Sequence, residues 1–152
     1  MAFDFVETPI GWLKIHASED GITAIDFDAM PDPGMHGNAL TERCKQQLTE
    51  YFAGTRDHFD LPLAAEGTTF QRAVWQALVC IPFGTTCAYQ DIADTIGKPK
   101  AVRAVGAANG SNPIPIIVPC HRVIGRDGSL IGFGGGLDKK EWLLKHEGAL
   151  LV

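Results

Sequence analysis

The chain has 152 residues, of which 45% are hydrophobic and 20% charged, and its formal net charge is −5 at pH 7. This length and composition predict one compact domain or two small lobes and exclude a disordered or fibrous chain. No uncharged apolar run reaches the ~18 residues that a membrane span needs, and the N-terminus lacks the basic region of a signal peptide. We therefore expect a cytoplasmic protein with no membrane partner.

The charges are distributed unevenly along the chain. Residues 1–67 carry four Lys and Arg against twelve Asp and Glu, a balance of −8, whereas residues 68–152 carry nine against six, a balance of +3. Such an asymmetry suggests a nucleic-acid-binding surface on the basic part, although ordinary solvated faces also produce it.

The first part of the chain predicts a small β-sheet followed by one helix. Two segments on either side of Pro9-Ile10-Gly11 indicate a hairpin, and residues 22–27 indicate the next strand. Asn38 is a typical N-cap for a helix that ends near Gly54. Leu61-Pro62-Leu63 is expected to be a short edge segment, because proline is excluded from central strands.

A domain boundary is expected near Glu66, which gives an N-terminal region, residues 1–66, and a C-terminal region, residues 67–152. The C-terminal region is predicted to be mostly helical. Its first helix is capped by Thr68 or by the threonine after it, and it stops by Pro82-Phe83-Gly84.

Two short helices are predicted next, Tyr89 to Ile96 and residues 100–109, with Gly97-Lys98-Pro99 between them. The second should place Arg103 and Asn109 on its outer face. This arrangement has the dimensions of a helix-turn-helix, but an ordinary corner between two helices fits the same pattern.

The side chains that could take part in catalysis follow an apolar segment, in the order Pro119, Cys120, His121, Arg122. A thiol attacks as a thiolate, so its usual pKa of about 8.5 has to be lowered by positive charge or offset by a base. His121 and Arg122 are the candidate base and charge. Adjacent side chains diverge, so we expect a water rather than direct contact to connect thiol and imidazole. A buried cysteine beside a structural histidine is the alternative.

The last predicted helix has Asp138 as its cap and ends at Gly148. Glu147 lies at the end of this helix, beside the face that we expect to point toward the protein interior. A carboxylate in that position could orient His121, as the third member of a catalytic triad does. A solvated acid at the helix end is the alternative.

Together these motifs resemble the methylated-DNA–protein-cysteine methyltransferases, also called O6-alkylguanine-DNA alkyltransferases. The similarity rests on Asn112-Pro113, Pro119-Cys120-His121-Arg122-Val123, Gly135-Gly136-Leu137 and the segment from Lys140 to Gly148. It covers nearly all of the C-terminal region, whereas the N-terminal region agrees only in general layout. The resemblance implies an α+β fold: an N-terminal α/β lobe with a short antiparallel sheet in a ribonuclease H-like layout, and a mostly helical C-terminal lobe with a helix-turn-helix.

The function implied by the resemblance is DNA repair. Cys120 would take the alkyl group from O6 of guanine, or less readily from O4 of thymine, in double-stranded DNA. The product is a thioether, which water does not readily attack, so each molecule would react once. No cofactor is implied, and the cysteine spacing predicts no metal site. Two alternatives stay open: a cysteine hydrolase acting on a small acyl substrate, and a non-catalytic damage-binding protein.

The resemblance also implies roles for single residues. His121 would act as base through a water, Glu147 would polarise His121, and Asn112 would brace the turn that holds the thiol. Tyr89 would help rotate the nucleotide out of the duplex and donate to the guanine ring. Arg103 would fill the vacated space, with its helix in the minor groove.

The remaining implied contacts are made with the DNA and with the extruded base. The expected DNA contacts, besides Arg103 and Tyr89, are Gln90, Lys98 and Arg126; the expected base pocket is formed by Val123, Phe133, Gly134 and Gly135. Phe133 and Gly134 stand where some relatives have tyrosine and serine, so the pocket should offer fewer polar contacts. We expect the protein to be a monomer.

Overall fold

The computed structural model describes residues 1–34 and 36–149, and the chain divides into two compact units between Glu66 and Gly67. The first unit contains a three-stranded sheet and one helix, and the second contains four helices and a two-stranded sheet. The predicted α+β class with a small antiparallel sheet is confirmed. Within the described ranges, no helix is long and apolar enough to cross a membrane.

The N-terminal sheet is antiparallel, with the strand order β1 (Ala2–Thr8), β2 (Gly11–Ala17) and β3 (Ile22–Asp26). Gly11 has φ +104° and turns the chain from β1 into β2, as the sequence predicts. Alternate residues of each strand face the helix, which is why the register pairs Val6 with Leu13 and Ile15 with Ile25, all of them buried.

Helix α1 (Ala39–Phe52) covers one face of this sheet. Asn38 caps it: the Asn38 side chain accepts from the Thr41 N–H at 2.9 Å, and the Thr41 hydroxyl accepts from the Asn38 N–H at 2.8 Å. The predicted cap is therefore confirmed. Cys44, Leu48 and Tyr51 lie on the inward face of α1 and complete the core of this unit.

The second unit is built from the following elements in chain order: α2 (Thr69–Val79), β4 (Cys87–Ala88), α3 (Tyr89–Thr95), α4 (Val102–Gly110), a 3-10 turn (Cys120–Arg122), β5 (Val123–Ile124) and α5 (Leu137–His146). Strands β4 and β5 are parallel and pair Cys87 with Val123. This pairing brings the start of α3 next to the turn that carries Cys120.

Two details of this unit differ from the prediction. Asp138 is not a cap: α5 begins at Leu137, and its N-cap is Gly136, whose φ of +99° favours glycine. Asn109 does not face outward, because the last turn of α4 packs against the Cys120 segment and leaves Asn109 only 4% exposed. In both cases tertiary packing overrides the local pattern.

Candidate active site and DNA-binding surface

Cys120 follows a tightly folded stretch of backbone. Ile116 has φ +75°, a conformation that β-branched residues rarely adopt, so this stretch is strained. The Val118 N–H donates to the Ile114 carbonyl at 2.9 Å, and the Cys120 N–H donates to the Val118 carbonyl at 2.7 Å. We call residues 118–122 the nucleophile turn. Cys120 itself is 5% exposed.

Asn112 holds the nucleophile turn with both ends of its side-chain amide. Its Nδ2 donates to the Val118 carbonyl at 2.8 Å, and its Oδ1 accepts from the Ile114 N–H at 3.0 Å. The same amide also lowers the pKa of the Cys120 thiol. Asn112 is therefore placed to fix both the backbone of the turn and the position of the sulfur.

His121, the residue after Cys120, forms a fully buried pair with Glu147. Nε2 of His121 lies 2.8 Å from Oε2 of Glu147. Although burial alone raises it, hydrogen bonds from His121 and Arg122 lower the pKa of Glu147 to about 2, so the carboxyl group is ionised. An ionised carboxylate only accepts, so the proton must be on Nε2 and Nδ1 carries a lone pair.

Burial and the surrounding charges keep His121 neutral. Desolvation lowers its pKa, and Glu147 opposes this effect only in part. Its Nδ1 is buried and has no hydrogen-bond partner among the described residues. The imidazole is thus a neutral base with a free acceptor, which is the form that a proton-accepting histidine requires.

The Arg122 side chain binds the carboxylate of Glu147 and not the thiol of Cys120. Its Nε donates to Oε1 of Glu147 at 2.8 Å, its Nη2 donates to Oε2 at 3.0 Å, and its Nη1 donates to the Ile81 carbonyl at 2.6 Å. The expectation that Arg122 supplies charge to Cys120 is wrong in this respect, because the bidentate geometry directs the guanidinium to Glu147. Glu147 is itself buried and is not a solvated helix-end acid.

The charge that acts on Cys120 comes from Lys140, for which the sequence predicted no role of its own. Desolvation raises the pKa of the Cys120 thiol, whereas the Asn112 hydrogen bond and the Lys140 charge lower it. Lys140 is 0% exposed. The sequence carried no signal of this burial, because Lys139-Lys140 looks like the solvated side of a helix.

A cavity of about 470 Å³ lies between α3, α4 and the segment 131–134, which we call the pocket loop. It is lined by Tyr89, Val102, Gly106, Asn109, Gly110, Ile131, Gly132, Phe133 and Gly134. Its size is within the range of sites that hold small molecules and single bases. Of the predicted pocket residues, Phe133 and Gly134 line it, whereas Val123 and Gly135 are not among the lining residues.

Two residues of the cavity wall connect it to the nucleophile. The Asn109 Nδ2 donates to the Cys120 carbonyl at 3.5 Å. Tyr89 donates from its hydroxyl to the Ile131 carbonyl at 3.3 Å, and the negative charge of a Cys120 thiolate raises the pKa of Tyr89 in addition to the larger effect of burial. The thiol therefore lies beside the cavity.

Helices α3 and α4 form a helix-turn-helix. Gly97 has φ +74° in the turn, and its N–H donates to the Asp94 carbonyl at 3.1 Å. Gln90 stabilises the turn, since its amide donates to Asp94 and to the Pro99 carbonyl, each at 2.9 Å. Arg103 and Lys98 are exposed.

Arg103 is available to a partner outside the chain. Among the described residues, no carboxylate lies within 4.0 Å of its guanidinium. The predicted contact Arg126 is likewise exposed, in the turn after β5. An exposed guanidinium on a helix-turn-helix is suited to phosphate groups and to the grooves of a duplex.

Two family models match this chain, and together they cover nearly all of it. Residues 69–149 match the family described as "6-O-methylguanine DNA methyltransferase, DNA binding domain", and residues 1–65 match "6-O-methylguanine DNA methyltransferase, ribonuclease-like domain".

Similar proteins also include curated relatives and solved structures. The chain is 48% identical to the methylated-DNA–protein-cysteine methyltransferase of Methanosarcina barkeri over 97% of each chain. It is 58% identical to that of Salmonella typhimurium over 92% of this chain and 76% of the relative. The crystal structure of Mycobacterium tuberculosis OGT in complex with DNA is similar with a TM-score of 0.89 at 42% identity, covering 98% of this chain and 94% of that one.

Proposed function

Because this chain belongs to the family of methylated-DNA–protein-cysteine methyltransferases, we propose that Cys120 is the residue that accepts the alkyl group from O6-alkylguanine. The protein is a DNA-repair methyltransferase, and DNA is its partner. The observation that carries the assignment to Cys120 is the nucleophile turn, where Asn112 holds the thiol next to a buried, neutral His121.

The reaction follows from these groups. The Cys120 proton passes to the free Nδ1 of His121, by way of a water, and the carboxylate of Glu147 stabilises the imidazolium that results. The thiolate then attacks the alkyl carbon in line with the C–O6 bond. The S–C bond forms as the C–O bond breaks, and the bonding electrons stay on guanine. A proton delivered to the guanine ring neutralises the leaving group, and Tyr89, in the cavity wall, is placed to supply it. The tyrosinate then takes up a proton from solvent, and the His121 imidazolium releases its own.

The raised pKa and the low exposure of the Cys120 thiol are compatible with alkyl transfer to its sulfur. Burial favours the protonated form of the Cys120 thiol, so formation of the thiolate depends on a base that accepts its proton. The product is a thioether, which water does not readily attack, and the Glu147 carboxylate is held by hydrogen bonds from His121 and Arg122. We propose a single turnover for each molecule.

The helix-turn-helix is proposed as the surface that meets DNA. O6 of guanine is inaccessible inside a stacked duplex, so the nucleotide has to leave the stack, at a cost of a few kcal/mol. Arg103 is exposed on α4, the second helix of the motif, from which it can fill the gap. We propose that α4 lies in the minor groove, with Lys98 and Arg126 near phosphates, and that the protein acts as a monomer in the cytoplasm.

The decisive experiment is intact-mass spectrometry after incubation with a duplex that contains one O6-methylguanine. One added methyl group per chain, located on Cys120, is the expected result, and an O4-methylthymine duplex should react more slowly. Cys120→Ser should gain no mass, whereas the exposed Cys80→Ser should behave as wild type. Methylation of another residue, or repaired guanine in excess of the protein, would refute the assignment; the second outcome would point to a turning-over enzyme.

A further inference from the structure

Lys140 is completely buried although it carries a charged side chain. Its Nζ donates to the Val123 carbonyl at 2.7 Å and to the Ile131 carbonyl at 2.8 Å. Among the described residues, no carboxylate is within ion-pair distance of it. Burying an ammonium without a negative partner is costly, so a residue in this position is expected to have a compensating role.

The carbonyl groups that accept from Lys140 belong to the two segments that form the site, one carrying the nucleophile and the other lining the cavity. Val123 directly follows the nucleophile turn, and Ile131 begins the pocket loop. The Tyr89 hydroxyl donates to the same Ile131 carbonyl. Lys140 thus links the segment that carries the nucleophile to the wall of the cavity.

Helix α5 delivers opposite charges to the nucleophile turn from one face. Lys140 and Glu147 are seven residues apart, about two helical turns, so they lie on the same side of the helix. Glu147 binds His121 and Arg122, while Lys140 binds Val123. The ammonium and Cys120 interact directly through their charges: the cation favours the thiolate, and the thiolate favours the cation.

We propose that Lys140 is a positioning residue for alkyl transfer: its ammonium ties the nucleophile turn to the pocket loop and is the positive charge beside which the Cys120 thiolate forms. The role in transfer rests on the proposed function of Cys120. An ammonium has three N–H donors and the two carbonyl groups use two of them, so one remains available. Burial favours the neutral thiol, so formation of the thiolate gives the buried ammonium an anionic partner.

The titratable and charged groups around Cys120 come from three elements, and of these the Lys140 charge lowers the pKa of the thiol. Tyr89 comes from α3, His121 and Arg122 come from the 3-10 turn, and Lys140 and Glu147 come from α5 and its end. Arg122 and Glu147 are engaged with one another. Removing Lys140 is therefore the substitution that takes away positive charge without breaking the Glu147 pair.

The test is the pH dependence of Cys120 alkylation by iodoacetamide in the full-length protein, followed on the Cys120 peptide by mass spectrometry. Lys140→Met should shift the profile by about one pH unit or more to higher pH, which lowers the rate at pH 7 about tenfold while the rate at high pH recovers. Lys140→Arg should retain the wild-type profile. The control is Lys145→Met on the same helix, an exposed residue paired with Glu141 at 2.8 Å. A folded Lys140→Met protein with an unshifted profile would overturn the proposal.

A second measurement decides the question if Lys140→Met does not fold. Because the interaction is reciprocal, Cys120→Ser should lower the pH at which the Lys140 side chain titrates in NMR spectra, whereas Cys80→Ser should leave it unchanged. An identical Lys140 titration in wild type and Cys120→Ser would also overturn the proposal. Neither measurement involves DNA, so a failure here is distinguishable from a failure of methyl transfer to Cys120.

Discussion

His121 and Glu147 are joined through Nε2 and Oε2 at 2.8 Å, with both side chains withdrawn completely from solvent. Since Arg122 binds the same carboxylate through two nitrogen atoms, Glu147 stays ionised and fixes which nitrogen of His121 carries the proton. The base nitrogen Nδ1 is left free as a consequence. The orientation of the imidazole is therefore set by the contact at Nε2, which leaves Nδ1 to accept a proton.

Glu147→Gln should slow single-turnover methyl transfer by about 10²-fold or more, because the amide stabilises an imidazolium much less than a carboxylate does. It should also destabilise the fold by about 3–5 kcal/mol, since Arg122 is left buried without its counter-charge. Rapid-quench transfer and urea unfolding measure the two effects. The matched control is Glu141→Gln, a half-buried acid on the same helix that pairs with Lys145. Transfer at the wild-type rate by Glu147→Gln would contradict the relay.

Acid should destabilise the protein in two steps, both in the same direction. The pKa of Glu147 is about 2 when folded and about 4.3 when unfolded. The pKa of His121 is also lower when folded than its usual value of about 6.5. The unfolded chain therefore binds more protons at acidic pH, and stability falls as the pH decreases, first below about 6.5 and then between about 4.3 and 2.

The measurement for this prediction is the free energy of unfolding in urea as a function of pH. Glu147→Gln should remove the lower step, because the substituted side chain no longer titrates. A wild-type stability that is constant from pH 7 to pH 3 would show that the buried pair does not behave as described.

Asn112→Ala should lower both stability and reactivity, because the Ile114 N–H loses its acceptor and the thiol loses a hydrogen bond. An unsatisfied buried donor costs about 1–3 kcal/mol. Asn112→Asp is the informative companion: it keeps the acceptor for Ile114 but loses the donor to the Val118 carbonyl. We expect Asp to recover stability more than it recovers the transfer rate. Equal recovery of both would show that Asn112 acts only on the backbone.

Arg103→Ala should slow transfer from duplex DNA more than transfer from the free base O6-methylguanine, because only the duplex requires extrusion. Affinity for DNA should fall with rising salt, and this variant should make the dependence of log K on log salt shallower by about one. Arg72→Ala, an exposed arginine on α2, is the control. An unchanged ratio of duplex to free-base transfer would exclude Arg103 from extrusion.

Local sequence patterns predicted those structural elements that depend on backbone preferences and short-range hydrogen bonds. The hairpin at Gly11, the cap at Asn38 and the helix-turn-helix around Gly97 each follow from one conformational preference or one short-range hydrogen bond. Asp138 shows the limit of this reasoning: it is a good cap by type, but Gly136, in a conformation that favours glycine, begins the helix earlier.

The resemblance carried by the Pro-Cys-His-Arg-Val motif named Cys120, His121 and Glu147 as candidate site residues, but the sequence did not predict how the side chains of the site are connected. The sequence alone placed a nucleophile beside a histidine in a helical, basic region and left a hydrolase and a binding protein open. Tertiary structure decided that Arg122 serves Glu147, that Asn109 turns inward and that Lys140 is buried beside Cys120. The reason is that side-chain chemistry and backbone preferences depend on a residue and its neighbours in the chain. Burial and the pairing of charges depend instead on segments that are far apart in the sequence and meet only when the chain folds.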